Sequence, residues 1–319
     1  MVWLIASLAV TAGEAPMLQT LRPYVAASVV ALVGPGMIAV TPVAAPADVG
    51  VARPVALTAG FFETWENVLT TAFGNADTVF TELQSMGTAF WQELATSGNI
   101  DLQVLFDAVT FLGGDQANLL NLIATTTLDL DHNLLYVAAT GQFDPAYPAP
   151  DEAIQALVNS WTSPLSGVLM GAVGPVIAPL VALSNSIGEI VAALEAADFD
   201  AVWEGLINVP ANVVGGFLNG ATLDLTALIP AIVDLDILPF PAGTEVESLS
   251  IAFGGLFSTG ATVGGLTLAG IGGSILNSVG LDALGASILG DLSLDGVGVG
   301  PFGAQTGLLE ALTLALSLS

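Results

Sequence analysis

The chain has 319 residues, 54% of them hydrophobic, and sets 29 acidic residues against two Arg, no Lys and one His, for a formal net charge of -27. A polyanion of this kind cannot neutralise phosphates, which excludes DNA and RNA as partners, and a mean hydropathy of +0.81 excludes a disordered acidic tail. There is no Cys, so disulfide staples and zinc-thiolate sites are excluded too.

Both cationic side chains lie early, at Arg22 and Arg53, and from Pro54 onward the chain carries no fixed positive charge. Met17 opens a segment with one charge at Arg22, an apolar run from Tyr24 to Val40 and the small-residue sequence Ala45-Pro46-Ala47. That pattern predicts a secretory signal peptide cleaved near Ala47, with residues 1–16 as an extension in front of it and Met17 as a candidate start. The competing reading is an uncleaved membrane anchor, against which Gly34, Pro35 and Gly36 interrupt the run.

After a short linker, Phe61, Trp65, Leu69, Phe73, Phe80, Leu83, Phe90 and Leu94 recur at helical steps, with acids mainly between them. One amphipathic helix, or two broken near Gly74, is expected there, with Trp65 and Phe80 on its core side. Ser97-Gly98-Asn99 should stop it, and Asn99 should cap a second helix carrying Leu102, Leu105, Phe106 and Val109. A third is expected from about Asp115. The Pro-rich stretch Gln142 to Pro150 marks a boundary.

Beyond it, Ala153 to Gly188 is uncharged and longer than the roughly 20 residues a membrane span needs. Pro164, Pro175 and Pro179 divide it, so a pair of short buried helices competes with one long helix. Gly205 to Leu223 and Ser248 to Leu281 are also free of charge, and Gly216 with Gly220, or Gly260 with Gly264, could allow close backbone contact. Period-two patches at 128–130, 223–226, 292–294 and 312–318 read as short strands. They are too few to close a single-chain barrel. The expected organisation is therefore 1–47 leader, 48–145 helical, 146–247 Pro-interrupted and helical, and 248–319 Gly-rich. The fold class is mainly α, with a few short strands or hairpins in the Gly-rich part.

Chemistry-bearing patterns are sparse. His132 follows Asp129 and Asp131, a grouping that suits a solvated turn better than a metal site. Asp198-Phe199-Asp200 and Asp234-Leu235-Asp236 read as acidic element ends. No Gly-x-Ser-x-Gly elbow occurs, and the Gly298-Val299-Gly300-Pro301-Phe302-Gly303 match to a dinucleotide loop lacks the strand and ribose-binding acid that should follow it. No enzyme activity, catalytic residue, cofactor or metal is expected.

Leu21-Arg22-Pro23-Tyr24, the leader ending Val40-Thr41-Pro42, Trp65-Glu66-Asn67-Val68-Leu69 and Phe73-Gly74-Asn75-Ala76 carry a resemblance. From Met17 to about residue 240 the chain resembles the exported Ala- and Gly-rich proteins of mycolic-acid-enveloped actinobacteria described as outer-membrane porins of the Gordonia type. The resemblance implies a channel in an outer lipid layer, with an acidic lining that favours cations, and it carries over no pore residue. Two functions are expected to compete: an exported envelope protein forming an oligomeric, cation-preferring channel at the outer membrane or cell surface, and a non-pore surface protein that binds lipid or protein. Envelope lipid or membrane, and a homo-oligomer, are the expected partners.

Overall fold

The structure, a computed structural model, describes residues 54–98, 100–112, 127–140, 152–233, 244–263, 270–287 and 290–318. The chain is mainly helical, and among the described residues its strands lie in the C-terminal part, from Ala221 onward. Eight α-helices occur among the described residues: α1 (Pro54–Thr96), α2 (Leu102–Thr110), α3 (Leu130–Ala139), α4 (Glu152–Thr162), α5 (Pro164–Glu195), α6 (Phe199–Asn219), α7 (Ile229–Val233) and α8 (Pro301–Leu318). The leader 1–47, the helix expected from Asp115 and the acids at 234 and 236 lie outside the described residues.

Helix α1 runs unbroken past Gly74. A glycine in a helix interior costs about 1 kcal/mol, too little to break an apolar face this long, and a Cβ at Gly74 would meet only open space. The core side of α1 is set by Ala72 and Val79, both almost fully buried, whereas Phe73 and Phe80 stand out from the surface. Phe80 therefore departs from its expected core place. It packs instead in an aromatic trio with Phe302 (ring centroids 5.1 Å apart) and Phe257 (6.3 Å). Asp101 caps α2, accepting from the Gln103 N–H at 2.9 Å, in place of the expected Asn99.

The uncharged stretch resolves into α4 and one 32-residue helix, α5. Ser163 separates them: its side chain accepts from the Ser166 N–H at 3.2 Å, and Pro164 sits in the first turn, where its missing N–H costs nothing. Pro175 and Pro179 lie inside α5 without ending it. Helix α6 returns antiparallel to α5, since Gly205 lies by Ile190, Asn212 donates to Ser186 Oγ at 3.0 Å, and Gly216 lies under Ala178 and Ala182. Helix α1 lies alongside α6 in parallel: Gly60 meets Glu204, and Asn219 Nδ2 donates to the Val68 carbonyl at 2.9 Å.

Strands β1 (Ala221–Asp224), β2 (Glu245–Phe253), β5 (Val279–Ser287) and β6 (Gly290–Leu294) form an antiparallel sheet in the order β1-β2-β5-β6, and β3 (Ala261–Val263) pairs with β4 (Gly270–Gly272). Leu249, Leu281 and Leu294 lie opposite one another across three strands and are all buried. On the other face, in the same register, Asp282 accepts from Ser248 Oγ at 2.5 Å and Ser293 Oγ at 2.6 Å. Packed on the leucine face are Ala108 and Phe111 by α2, Leu135 and Tyr136 of α3, Val158 of α4 and Ala315 of α8. The regions 48–145, 146–247 and 248–319 thus share one core.

Two patches expected as strands are not strands. Leu128 and Asp129 lead into α3, and 312–318 belongs to α8. Alternating leucines fall on two opposite sides of a helix, which suits α8 because it packs against α1, α2, α5 and β4.

Candidate functional site

Helix α5 segregates its side chains by size in the sense opposite to a water-facing helix. At 3.6 residues per turn, Leu165, Leu169, Val176, Leu180, Leu183 and Ile187 fall on one narrow stripe, and all six are exposed, Val176 by 70% and Leu180 by 65%. The opposite side carries Gly167, Gly171, Gly174, Ala178 and Ala182, all buried. Those small residues are required by close backbone approach. A Cβ at Gly171 would lie 2.7 Å from the Gly300 carbonyl oxygen, and Cβ atoms at Gly167 and Gly174 would overlap the carbonyls of Gly273 and Gly254. From Leu165 to Ile187 the stripe is about 33 Å long at 1.5 Å per residue, and it is free of charge.

Helix α6 repeats the arrangement. Phe199, Trp203, Leu206 and Phe217 are exposed along one line, while Ala211, Gly215 and Gly216 face its neighbours. Of the two expected close-contact pairs, Gly216 does meet α5, its built Cβ 2.7 Å from the Ala178 carbonyl oxygen, but Gly220 is the end of α6 at φ +95°. Gly260, at φ +80°, lies against the Gly272 carbonyl; Gly264 is outside the described residues. Among the described residues, α5 is the one helix long and apolar enough to cross a membrane.

The chain's imidazole forms a second, separate constellation. His132 is 1% exposed, which overturns its expected place in a solvated turn. Its Nδ1 lies 2.7 Å from Asp129 Oδ2 and its Nε2 lies 2.9 Å from the Val279 carbonyl oxygen, 147 residues away at the start of β5. Asn277 Nδ2 donates to Asp129 Oδ2 at 3.1 Å, and Asn277 Oδ1 accepts from Ser274 N and Oγ. A carboxylate and a carbonyl can only accept, so both ring nitrogens are satisfied only when both carry hydrogen, as in the imidazolium.

Burial by itself would raise Asp129 and lower His132. The hydrogen bonds and the attraction between the two outweigh it, and hold Asp129 below and His132 above their ordinary values; the nearby Asp131 adds to the rise of His132. Because Nε2 is committed to a backbone carbonyl, no nucleophile or ligand lone pair is available to it. The dyad joins α3 to the sheet.

Other expected positions fall into structural roles. Asp198 caps α6, accepting from the Ala201 N–H at 3.1 Å. In the Gly298 to Gly303 run, Gly298, Gly300 and Gly303 pack against the backbones of Gly254, Gly255 and Thr259. Among the described residues no group of three or more His, Cys, Asp or Glu is arranged to hold a metal ion. The open depression on α1, lined by Thr81, Gln84, Ser85, Thr88 and Gln92, gathers no titratable group. Sequence reasoning did not separate the two faces of α5, although the Gly167-x3-Gly171-x2-Gly174 spacing marks the inner one.

No family model, curated protein or solved structure matches the chain.

Proposed function

We propose that the protein is an exported cell-envelope protein that docks on envelope lipid through the outward faces of α5 and α6. The carrying observation is the sorting of α5: the exposed stripe is leucine, valine and isoleucine throughout, while the buried side is mostly glycine, alanine and serine, with Val181 the large aliphatic side chain among them. In water, large apolar side chains are driven to the interior, and a helix apolar on all sides needs cover on every side. In hydrocarbon, helices associate through small residues and present large apolar side chains to the lipid. Export rests on the leader features of residues 17–47.

Partitioning between an aqueous phase and a nonionic-detergent phase tests this reading. The full chain is expected in the detergent phase, and the exposed substitutions Val176→Gln with Leu180→Gln are expected to move it toward water. Equal partitioning of the two proteins into the aqueous phase would count against lipid docking.

A second reading, an oligomeric channel preferring cations, is favoured by one observation: no fixed positive side chain follows Arg53 to offset carboxylates along a path. Planar-bilayer conductance with ion-selectivity measurement tests it. Anion selectivity, or a folded and membrane-bound protein with no conductance, would remove it.

A further inference from the structure

The lipid-docking reading leaves open which lipid surface the protein meets, and the charge at the α5–α6 tip bears on that. Helices α5 and α6 are free of charge over Pro164 to Gly188 and Gly205 to Asn219. Their acids gather where the two helices meet: Glu189 and Glu195 on α5, Asp198 at the α6 cap, Asp200 in the first turn of α6, and Glu204, which Gly60 of α1 meets; Glu63 and Glu66 follow Gly60 along α1. These acids alternate with exposed apolar side chains, Leu194 at 50%, Phe199 at 58% and Trp203 at 61%. Aromatic side chains of that kind settle at the boundary between headgroup and hydrocarbon. If they do so here, the carboxylates are carried to headgroup level with them.

Proteins that bind anionic leaflets bring Lys and Arg to that level. The described residues contain neither, and their one imidazole is buried in the Asp129 pair, so every exposed formal charge among them is negative. Repulsion therefore disfavours an anionic lipid surface and, among lipid layers, favours one without net charge. We infer that the docking partner of the α5–α6 face is a lipid layer with uncharged or zwitterionic headgroups, and that the tip carboxylates Glu189, Glu195 and Glu204 select it by repelling anionic ones. The inference rests on the lipid-docking reading and adds the partner's charge.

The test is flotation of the full chain with phosphatidylcholine vesicles and with vesicles containing about 30% phosphatidylglycerol. At low salt, binding to the anionic vesicles should be weaker by about tenfold or more, since each charge near such a surface shifts the partition several-fold. Raising salt to about 0.5 M should largely close the gap by screening. The Glu189→Gln, Glu195→Gln, Glu204→Gln variant should narrow it at low salt by about threefold or more, with Asp198 and Asp200 keeping the remainder. The Val176→Gln, Leu180→Gln variant, checked for folding by circular dichroism, should lose binding to both, which assigns the binding to α5 and not to the apolar leader.

Equal or stronger binding to the anionic vesicles, or a gap that the three glutamines leave unchanged, would overturn the inference while leaving lipid docking standing. Binding undiminished by the α5 substitutions would overturn both. No binding to either vesicle by folded protein would overturn lipid docking itself and point to a protein partner for the same face.

Discussion

Asp129 and His132 are joined twice. The His132 backbone N–H donates to Asp129 Oδ1 at 2.9 Å while the ring Nδ1 lies 2.7 Å from Oδ2, so one carboxylate both caps α3 and holds the imidazolium. The same ring reaches the Val279 carbonyl and thereby ties the start of α3 to the first residue of β5.

Removing His132 leaves Asp129, about a fifth exposed and still held by Asn277, without its counter-charge. His132→Ala is expected to cost about 3 kcal/mol, the low end for a buried pair, measured by chemical denaturation at neutral pH. Asp129→Asn should also destabilise, and the double variant should lose less than the sum of the singles because the two side chains act as one unit.

The pair also sets a pH dependence. With His132 raised above its ordinary 6.5, its contribution is fully present below that value and is lost as pH rises through the folded-state value. With Asp129 lowered below its ordinary 3.8, its contribution is present above that value and is lost as pH falls through the folded-state value. Stability from the pair should therefore be greatest between about pH 4 and pH 6.5 and decline on the alkaline side. Denaturation midpoints measured from pH 5 to pH 9 should show this decline, and His132→Gln should flatten it.

Glu310 adds to the same flank through a different cause. Burial first, and the nearby Glu82 second, push its carboxyl up to about 7. A carboxyl raised in this way costs nothing below its ordinary 4.5, and it penalises folding increasingly as pH rises from there to about 7, above which the loss is complete. Glu310→Gln should leave stability near pH 4 almost unchanged and raise it at pH 8, in the same denaturation series.

The inner face of α5 predicts a contrast between glycines. A Cβ at Gly174 would overlap the Gly254 carbonyl, whereas one at Gly188 meets nothing within 4 Å. Gly174→Ala should destabilise by about 1 to 3 kcal/mol or more, as overpacking against backbone does. Gly188→Ala should be neutral or stabilise by up to about 1 kcal/mol through helix propensity. Thermal unfolding of the two variants side by side checks both.

The helical periodicity of 61–94 was legible because its apolar residues recur at mostly three- and four-residue steps, and Asp198 was legible as an acidic element end, helix or strand, which the fold makes the start of α6. The β2 strand was not, since Glu245 to Phe253 has no clean alternation and its place is set by pairing with β1 and β5. The alternating leucines at 312–318 pointed to a strand, but the short period could not reveal that α8 would pack against α1, α2, α5 and β4. His132 was misplaced in a solvated turn because its second partner, Val279, is 147 residues away. On α5, composition showed an apolar segment and the Gly167-x3-Gly171-x2-Gly174 spacing carried the inner face, but which side the fold would cover depended on the distant backbones of Gly254, Gly273 and Gly300.

The proposed docking covers the outward face of α5 with hydrocarbon. The chain has no native Cys, so an environment-sensitive fluorophore can be attached at Leu180→Cys on that face and, in a second protein, at Thr88→Cys on the exposed polar side of α1. On binding phosphatidylcholine vesicles, the label at position 180 is predicted to shift to shorter wavelength and to be quenched by nitroxide-bearing lipid, with the label at 88 unchanged. A label at 180 that stays open to a water-soluble quencher while the protein is vesicle-bound would show that hydrocarbon does not cover α5.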